Sequence, residues 1–115
     1  NDIVFYADID SDSAIERVHY YLSGTALEQG ILNPAGDPPV YSGSEATSTI
    51  AINIRNTAEG VSLFTFYNAS GTVMTDLAQI GALRFLTASV VVDVDTNRLP
   101  DAITIRSSAA LRNLK

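Results

Sequence analysis

Apolar and polar residues alternate along the first part of the chain in the two-residue period of a β-strand. In residues 3–9 every odd-numbered side chain is apolar, so one face of this segment is suited to burial. Residues 15–22 alternate again, with Val18, Tyr20 and Leu22 on the inward side. The polar residues 10–13 separate the two segments. Two alternating segments joined by a short polar turn predict a β-hairpin.

The middle of the chain is less regular. A turn at Ser23-Gly24 precedes a short strand predicted over residues 27–32, and residues 33–43 hold three of the four prolines, which indicates a surface loop. Residues 44–56 fit two structures: Ser44 is suited to cap a helix, whereas the isoleucines at 50, 52 and 54 alternate as in a strand. We favour the helix.

The second half of the chain predicts two further hairpins. Residues 62–68 are rich in β-branched and aromatic residues, Asn68 to Gly71 form a turn, and residues 72–74 return as a short partner. From Leu86 to Val94 the even-numbered residues form an apolar face. After a turn at residues 95–100, a last strand is predicted to face inward through Ile103, Ile105, Ala109 and Leu111.

These elements predict a mainly β fold, an antiparallel sheet built from hairpins, with α+β as the alternative if short helices form. At 115 residues the chain has the usual length of one domain, so we predict a single domain over residues 1–115. Hydrophobic residues make up 46% and charged residues 17%, which is typical of a chain that folds around a core.

Charge and composition exclude several kinds of function. The net charge of −6 repels a phosphate backbone, so we expect no nucleic-acid partner. With no cysteine, thiolate metal sites and thiol nucleophiles are excluded. The apolar runs are far shorter than the roughly 20 residues that span a bilayer, so any membrane contact would need a segment that this sequence does not contain.

Few residues suit catalysis. A Ser-His-Asp arrangement needs a base beside its nucleophile, and the only histidine, His19, is predicted on the outward face of its strand. Glycosidase chemistry needs two carboxylates held across a substrate cleft, and no tryptophan is present to stack on a sugar. We therefore predict that the protein is not an enzyme and has no cofactor.

The carboxylates of the first turn are the one cluster with a chemical interpretation. Asp8, Asp10 and Asp12 follow a D-x-D-x-D spacing with Glu16 four residues further on, and such oxygen ligands suit Ca²⁺. Asp93, Asp95 and Asn97 repeat the spacing later in the chain. An EF-hand is excluded, because the sixth and twelfth positions counted from Asp8 are Ser13 and His19. The alternatives are a looser calcium site at Asp8, Asp10 and Asp12, or acidic turn residues without a ligand, which we prefer.

The two ends of the chain carry opposite charge. Residues 1–16 contain five acidic and no basic residues, whereas residues 106–115 contain three basic and no acidic ones. Opposite charges of this kind favour pairing of the first and last strands in one sheet, or orientation of one subunit against the next in a polymer. We prefer the pairing within one chain.

Several segments together resemble minor pilins and pseudopilins that have a prepilin-type N-terminus. The resemblance lies in Phe5-Tyr6-Ala7-Asp8-Ile9-Asp10-Ser11-Asp12, Glu16-Arg17-Val18-His19-Tyr20-Tyr21-Leu22 and Ala110-Leu111-Arg112-Asn113-Leu114-Lys115. Residues 50–55, 64–67, 82–85 and 90–93 add to it. Such proteins serve type IV pili and type II secretion, and the J-type pseudopilins are the most similar group.

This resemblance implies a pilin-like globular head that lacks the hydrophobic N-terminal helix of the family. The implied function is a non-catalytic structural subunit whose partners are other pilin or pseudopilin subunits. It further implies a location in the cell envelope, on the periplasmic or extracellular face, with anchoring in the inner membrane before assembly. The alternative function is a ligand-binding or adhesive β module stabilised by calcium.

Overall fold

The computed structural model describes residues 2–99 and 101–111. The chain is mainly β, with 50% of its residues in strands and 9% in helices. The seven strands are β1 (Asp2–Ala7), β2 (Glu16–Ser23), β3 (Ala26–Leu32), β4 (Ala46–Ala51), β5 (Phe64–Asn68), β6 (Leu83–Val92) and β7 (Ile103–Ala110). A one-turn helix α1 (Asn56–Glu59) and a 3-10 segment (Leu77–Ala82) complete the structure. No helix of the described residues has the length and apolar character needed to cross a membrane.

The strands form two antiparallel sheets in two compact units of the chain. The first sheet has the order β1-β2-β3-β4 and lies in the unit Asn1–Ile54. The second sheet has the order β5-β6-β7 and lies in the unit Arg55–Lys115. The mainly β, antiparallel fold is thus confirmed, while the single domain over residues 1–115 stays a prediction.

The first sheet follows the predicted alternation. Phe5, Val18 and Ile31 are paired in register across β1, β2 and β3, so they share one face of the sheet. Val18 is only 1% exposed, which places the core of this unit at the centre of that face. The tight turn from β2 to β3 is possible because Gly24 adopts a φ of 59°, a conformation that side chains disfavour.

The predicted helix over residues 44–56 is wrong. Residues 46–51 form β4, which pairs with β3, and only the last residue of the predicted segment begins α1. Two properties explain the strand. Thr47, Thr49 and Ile50 are β-branched and suit a pleated surface, and the Glu45 side chain binds Arg17 instead of supporting a helix start.

The hairpins of the second unit form as predicted. Asn68 and Gly71 close the turn after β5, and Val73 returns to form a bridge with Tyr67. β6 and β7 pair over their length, from Phe85 with Ala110 to Val92 with Ile103. The predicted pairing of the first and last strands in one sheet is not observed, since β1 and β7 belong to different sheets.

The predicted inward face of the terminal hairpin is wrong. Leu86, Ala88, Val90 and Val92 are only half-buried, and Val94 lies beyond β6 with 78% of its surface exposed. On β7, Ile103 and Ile105 are 57% and 58% exposed, Ala109 is exposed, and Leu111 after the strand is half-buried. The side chains of β6 that are buried belong to the opposite face: Leu83, Ser89 and Val91.

Candidate functional site

The loop between β1 and β2 is organised by its own carboxylates. Asp8 accepts hydrogen bonds from the backbone N–H groups of Ser11 and Ser13 at 2.6 and 3.1 Å. Asp10 accepts from Asp12 N–H at 3.3 Å, and Asp12 accepts from Ala14 N–H at 2.8 Å. These bonds are the short-range turns that aspartate favours, and they give each acid of the D-x-D-x-D pattern a structural role.

The three predicted metal ligands are only partly brought together. Ligand atoms of Asp8, Asp10 and Glu16 lie within 4.8 Å of one another, and Asp12 is not part of this group. Glu16 is 2% exposed and accepts a hydrogen bond from Ile9 N–H at 3.0 Å, which holds its carboxylate under the loop. The calcium site at Asp8, Asp10 and Asp12 stays a prediction; the geometry places Glu16 with the first two.

The folded structure disfavours the negative charge of Asp10. Desolvation, joined by the negative charges of Asp12 and Glu16, raises the pKa of Asp10, and the hydrogen bond from the Asp12 N–H only partly opposes the rise. Removing this charge or adding a cation would therefore relieve repulsion in the folded state.

Thermal unfolding in millimolar CaCl₂ and in EDTA distinguishes a calcium site in this loop from acids that only bind backbone N–H groups. A calcium-dependent rise in Tm that Asp10→Asn lacks would assign a metal site, and equal Tm values would leave the acids with their backbone role alone.

The second acidic set lies at the tip of the β6–β7 hairpin. Asp93 accepts a hydrogen bond from Asp95 N–H at 3.1 Å, and Asp95 accepts from Asn97 N–H at 3.0 Å. Arg98 pairs with Asp95 at 3.5 Å. Asp93, Asp95 and Arg98 border an open groove of about 420 Å³. Among residues 2–99 and 101–111 their carboxylates do not converge as those of the first loop do.

The polar face of the first sheet carries an ion cluster that the sequence did not predict. Glu45 pairs with Arg17 through one carboxylate oxygen and lies 3.2 Å from Nδ1 of His19 through the other. Nε2 of His19 lies 3.3 Å from Asp2, and the His19 ring packs on Tyr21 with centroids 4.6 Å apart. His19 is therefore held between two carboxylates rather than lying bare on the strand.

Gly30 makes room for this cluster. A Cβ at position 30 would lie 2.1 Å from Oε2 of Glu45 and 3.2 Å from its Cβ, so a larger residue would displace the carboxylate. Desolvation acts to raise the pKa of Glu45, but hydrogen bonds from His19 and Arg17 outweigh it and hold the pKa below its ordinary value of 4.5.

The lowered pKa of Glu45 gives a testable pH dependence. A carboxyl group with a lowered folded-state pKa contributes stability that is present above its ordinary pKa and is lost as pH falls through the folded value. We expect Glu45→Gln to lower the free energy of unfolding by about 1 kcal/mol at neutral pH. The difference from wild type should shrink in acid below about pH 4.5. Urea unfolding of both proteins from neutral pH to about pH 3 measures it, and a difference that stays constant or grows in acid would contradict this role.

The second sheet presents a continuous apolar face. Directly paired residues of antiparallel strands share a face, so the register of β5, β6 and β7 places ten side chains together. We call this set the apolar face: Phe64, Phe66, Leu86, Ala88, Val90, Val92, Ile103, Ile105, Ser107 and Ala109. None of the ten is charged and none is buried. The charged Arg84 of β6 lies at one end of the same face. A sheet face of this composition is ordinarily covered.

The opposite face of the second sheet is where burial occurs. Asn56 at the start of α1 is fully buried. Its side-chain amide makes hydrogen bonds to the β6 backbone of the kind that a neighbouring strand would make. Asn56 Oδ1 accepts from Val91 N–H at 2.8 Å, and Nδ2 donates to Ser89 O at 2.7 Å. The Arg55 N–H donates to Val91 O at 2.8 Å, which continues the same ladder. The buried side chains of β6, Leu83, Ser89 and Val91, are on the side away from the apolar face, so the core of this unit lies on that side.

Comparison of the chain with known protein families, with curated proteins and with solved structures finds no match.

Sequence reasoning found the acidic loop and the alternation of β6 but missed three features. It did not predict the Glu45 cluster, the ladder role of Asn56, or the exposure of the apolar face. The apolar alternation itself was the signal for the last feature. Its interpretation as a buried face was the error.

Proposed function

We propose that this chain is a non-catalytic assembly domain, the head of a minor pilin- or pseudopilin-like subunit in a type IV pilus or a type II secretion pseudopilus. The observation that carries the proposal is the apolar face of the second sheet. Ten uncharged side chains lie together on it, and two of them, Ile103 and Ile105, are more than half exposed. Exposed apolar patches of this kind mark interaction surfaces.

The dimensions of the apolar face suit an apolar helix. Three strands spaced about 4.8 Å apart give a width of about 10 Å between the outer strands, close to the diameter of an α-helix. Along β6 the apolar face runs from Leu86 to Val92, which extends over about 23 Å, the length of a helix of about 15 residues. The hydrophobic N-terminal helix of the pilin-like proteins that this chain resembles, in its own or a neighbouring subunit, is the occupant we propose.

The described side chains also support a role without catalysis. Both ring nitrogens of His19 face carboxylates, those of Glu45 and Asp2, so the histidine is not paired with a hydroxyl nucleophile. The carboxylates of the first loop bind backbone N–H groups of that loop. The partners in this proposal are other subunits of the same assembly, at the periplasmic or extracellular face of the cell envelope.

The substitution Ile105→Lys tests this function. Because Ile105 is 58% exposed, we expect the free energy of unfolding to change by no more than about 0.5 kcal/mol. Assembly of the subunit in the producing cell should nevertheless be lost, since a charge would be buried against an apolar helix. Thr104→Lys is the matched control, because Thr104 is the neighbouring β7 residue on the opposite face and is also exposed. Normal assembly of the Ile105→Lys subunit would argue against the proposal.

A further inference from the structure

None of the described strands pairs with the outer edge of β7. β7 is the outer strand of the second sheet, and all eight of its residues are exposed. Leu111, just after β7, donates its N–H to Arg84 O at 2.9 Å, and the register places these two residues opposite each other. Because N–H groups alternate in direction along a strand, those of Ile103, Ile105, Ser107 and Ala109 also point to β6. The N–H groups of Thr104, Arg106, Ser108 and Ala110 therefore point outward.

This edge lacks the features that usually prevent strand pairing. β7 contains no proline, its pairing with β6 has no bulge, and Arg106 is its one charged residue. Proteins commonly protect exposed edges with several charges, prolines or bulges. An unprotected edge of eight residues is a site where another extended strand can add.

Strand β1 is also an exposed outer strand, and its charge is negative where that of β7 is positive. It is an outer strand of the first sheet, and Val4, Phe5 and Tyr6 on it are 40%, 37% and 56% exposed. Asp2 lies on it, and the acids of the following loop extend the negative charge. The sequence from residue 106 to residue 115 is purely basic in its charged residues.

Charge decides among the possible partners of the β7 edge. Pairing of β7 with β7 of another copy would bring two arginines together near its middle, and pairing of β1 with β1 would bring acids together. β4 and β5, the other two outer strands, carry no charge. Among the outer strands that the structure describes, only β1 against β7 places opposite charges across the new ladder.

We infer that the outer edge of β7 takes up strand β1 of a second copy of this chain. The inference rests on the proposed function as an assembly domain and names the contact between copies. The two sheets would join across the copies into one seven-stranded sheet, β4-β3-β2-β1 of one copy followed by β7-β6-β5 of the next. Such a contact joins unlike surfaces head to tail, so it propagates from copy to copy.

The substitution Ser108→Pro tests the edge. It removes an outward N–H while leaving the N–H groups that pair with β6, a position where an edge strand tolerates proline. Ser108→Ala is the matched control: it also loses the hydroxyl that lies 3.2 Å from Thr87 but keeps the N–H. In sedimentation velocity at low salt, we expect wild type and Ser108→Ala to associate with rising concentration. The Ser108→Pro variant should bind at least about tenfold more weakly.

A second variant keeps the test decisive if Ser108→Pro melts at a much lower temperature than wild type. Arg106→Glu places an acid on the edge that must meet β1, and we expect it to weaken association by at least about tenfold at low salt. A monomeric wild type, or association of both folded variants equal to that of wild type, would overturn the inference.

Cross-linking identifies the occupant. The chain has no native cysteine, so single cysteines can be introduced cleanly. We expect Val4→Cys copies mixed with Ser108→Cys copies to be joined by a short bis-maleimide far more than Ser48→Cys copies on β4 mixed with Ser108→Cys copies. Equal or stronger linkage from β4 would overturn the assignment to β1.

The proposed function and this inference fail separately. If Ser108→Pro assembles normally in the producing cell while Ile105→Lys does not, the apolar face keeps its role and the strand contact is wrong. If Ile105→Lys assembles normally while Ser108→Pro does not, copies join through β7, and the proposal that a helix covers the apolar face is wrong.

Discussion

Replacing Asn56 with alanine should lower the free energy of unfolding by about 3 kcal/mol. The side chain is fully buried and supplies both an acceptor for Val91 N–H and a donor for Ser89 O. Alanine would leave both backbone groups buried without partners, and each such group costs about 1–3 kcal/mol. Urea unfolding followed by circular dichroism measures the change.

Two further substitutions make the Asn56 result specific. Asn56→Asp keeps the size and the acceptor but places a carboxylate against Ser89 O, so we expect a loss at least as large at neutral pH. Thr57→Ala, at the next and exposed helical position, should change the unfolding free energy by less than about 0.5 kcal/mol. If Asn56→Ala lowers the free energy of unfolding by less than about 1 kcal/mol, the hydrogen bonds of the Asn56 amide to the β6 backbone do not stabilise the fold as argued.

Leu63→Ala should have an effect of similar size for a different reason. Leu63 is 1% exposed and its carbonyl accepts a hydrogen bond from Ser89 N–H at 2.9 Å, so its side chain lies within the core of the second unit. Truncation of a buried leucine costs about 2–5 kcal/mol through lost burial and the cavity left behind.

The matched control for Leu63 is the same substitution at Leu99, which is 83% exposed. We expect Leu99→Ala to change the unfolding free energy by less than about 0.5 kcal/mol. Thermal or urea unfolding of both variants checks the contrast. Equal losses at the two positions would mean that the core of this unit does not lie beside Asn56.

The strands and hairpins could be predicted because they depend on local pattern. Alternation over residues 3–9 and 86–92, together with the turns at Gly24 and Asn68, was enough to place β1, β6 and their neighbours. The segment 44–56 could not be assigned in this way. Its capping signal at Ser44 and its alternating isoleucines have comparable local weight, and pairing with β3 decides between them.

The site could be predicted only in part, because its features depend on contacts between distant residues. Asp8 and Asp10 were identifiable from their spacing, but Glu16 joins them through the β1–β2 register. Glu45 reaches His19 only because Gly30 leaves space on the adjoining strand. A single buried asparagine such as Asn56 has no periodic signature in the sequence.

The face of the second sheet that is buried could not be read from hydrophobicity. An apolar face predicts burial, but it does not specify whether the same chain or a partner provides the cover. Ser89 is buried because α1 and Asn56 lie beside β6, whereas Val90 on the other face is only half-buried. The fold class therefore followed from the pattern, while the role of its most regular segment required the structure.

Photo-crosslinking from the apolar face tests the central claim most directly. A benzophenone amino acid at position 105 is activated in the producing cell, and the adduct is mapped by mass spectrometry, with position 104 as the control on the opposite face. The account predicts that position 105 joins an apolar helical segment of at least about 15 residues in this subunit or a pilin-like neighbour, and that position 104 does not. Equal labelling at both positions, or no adduct with such a segment, would contradict it.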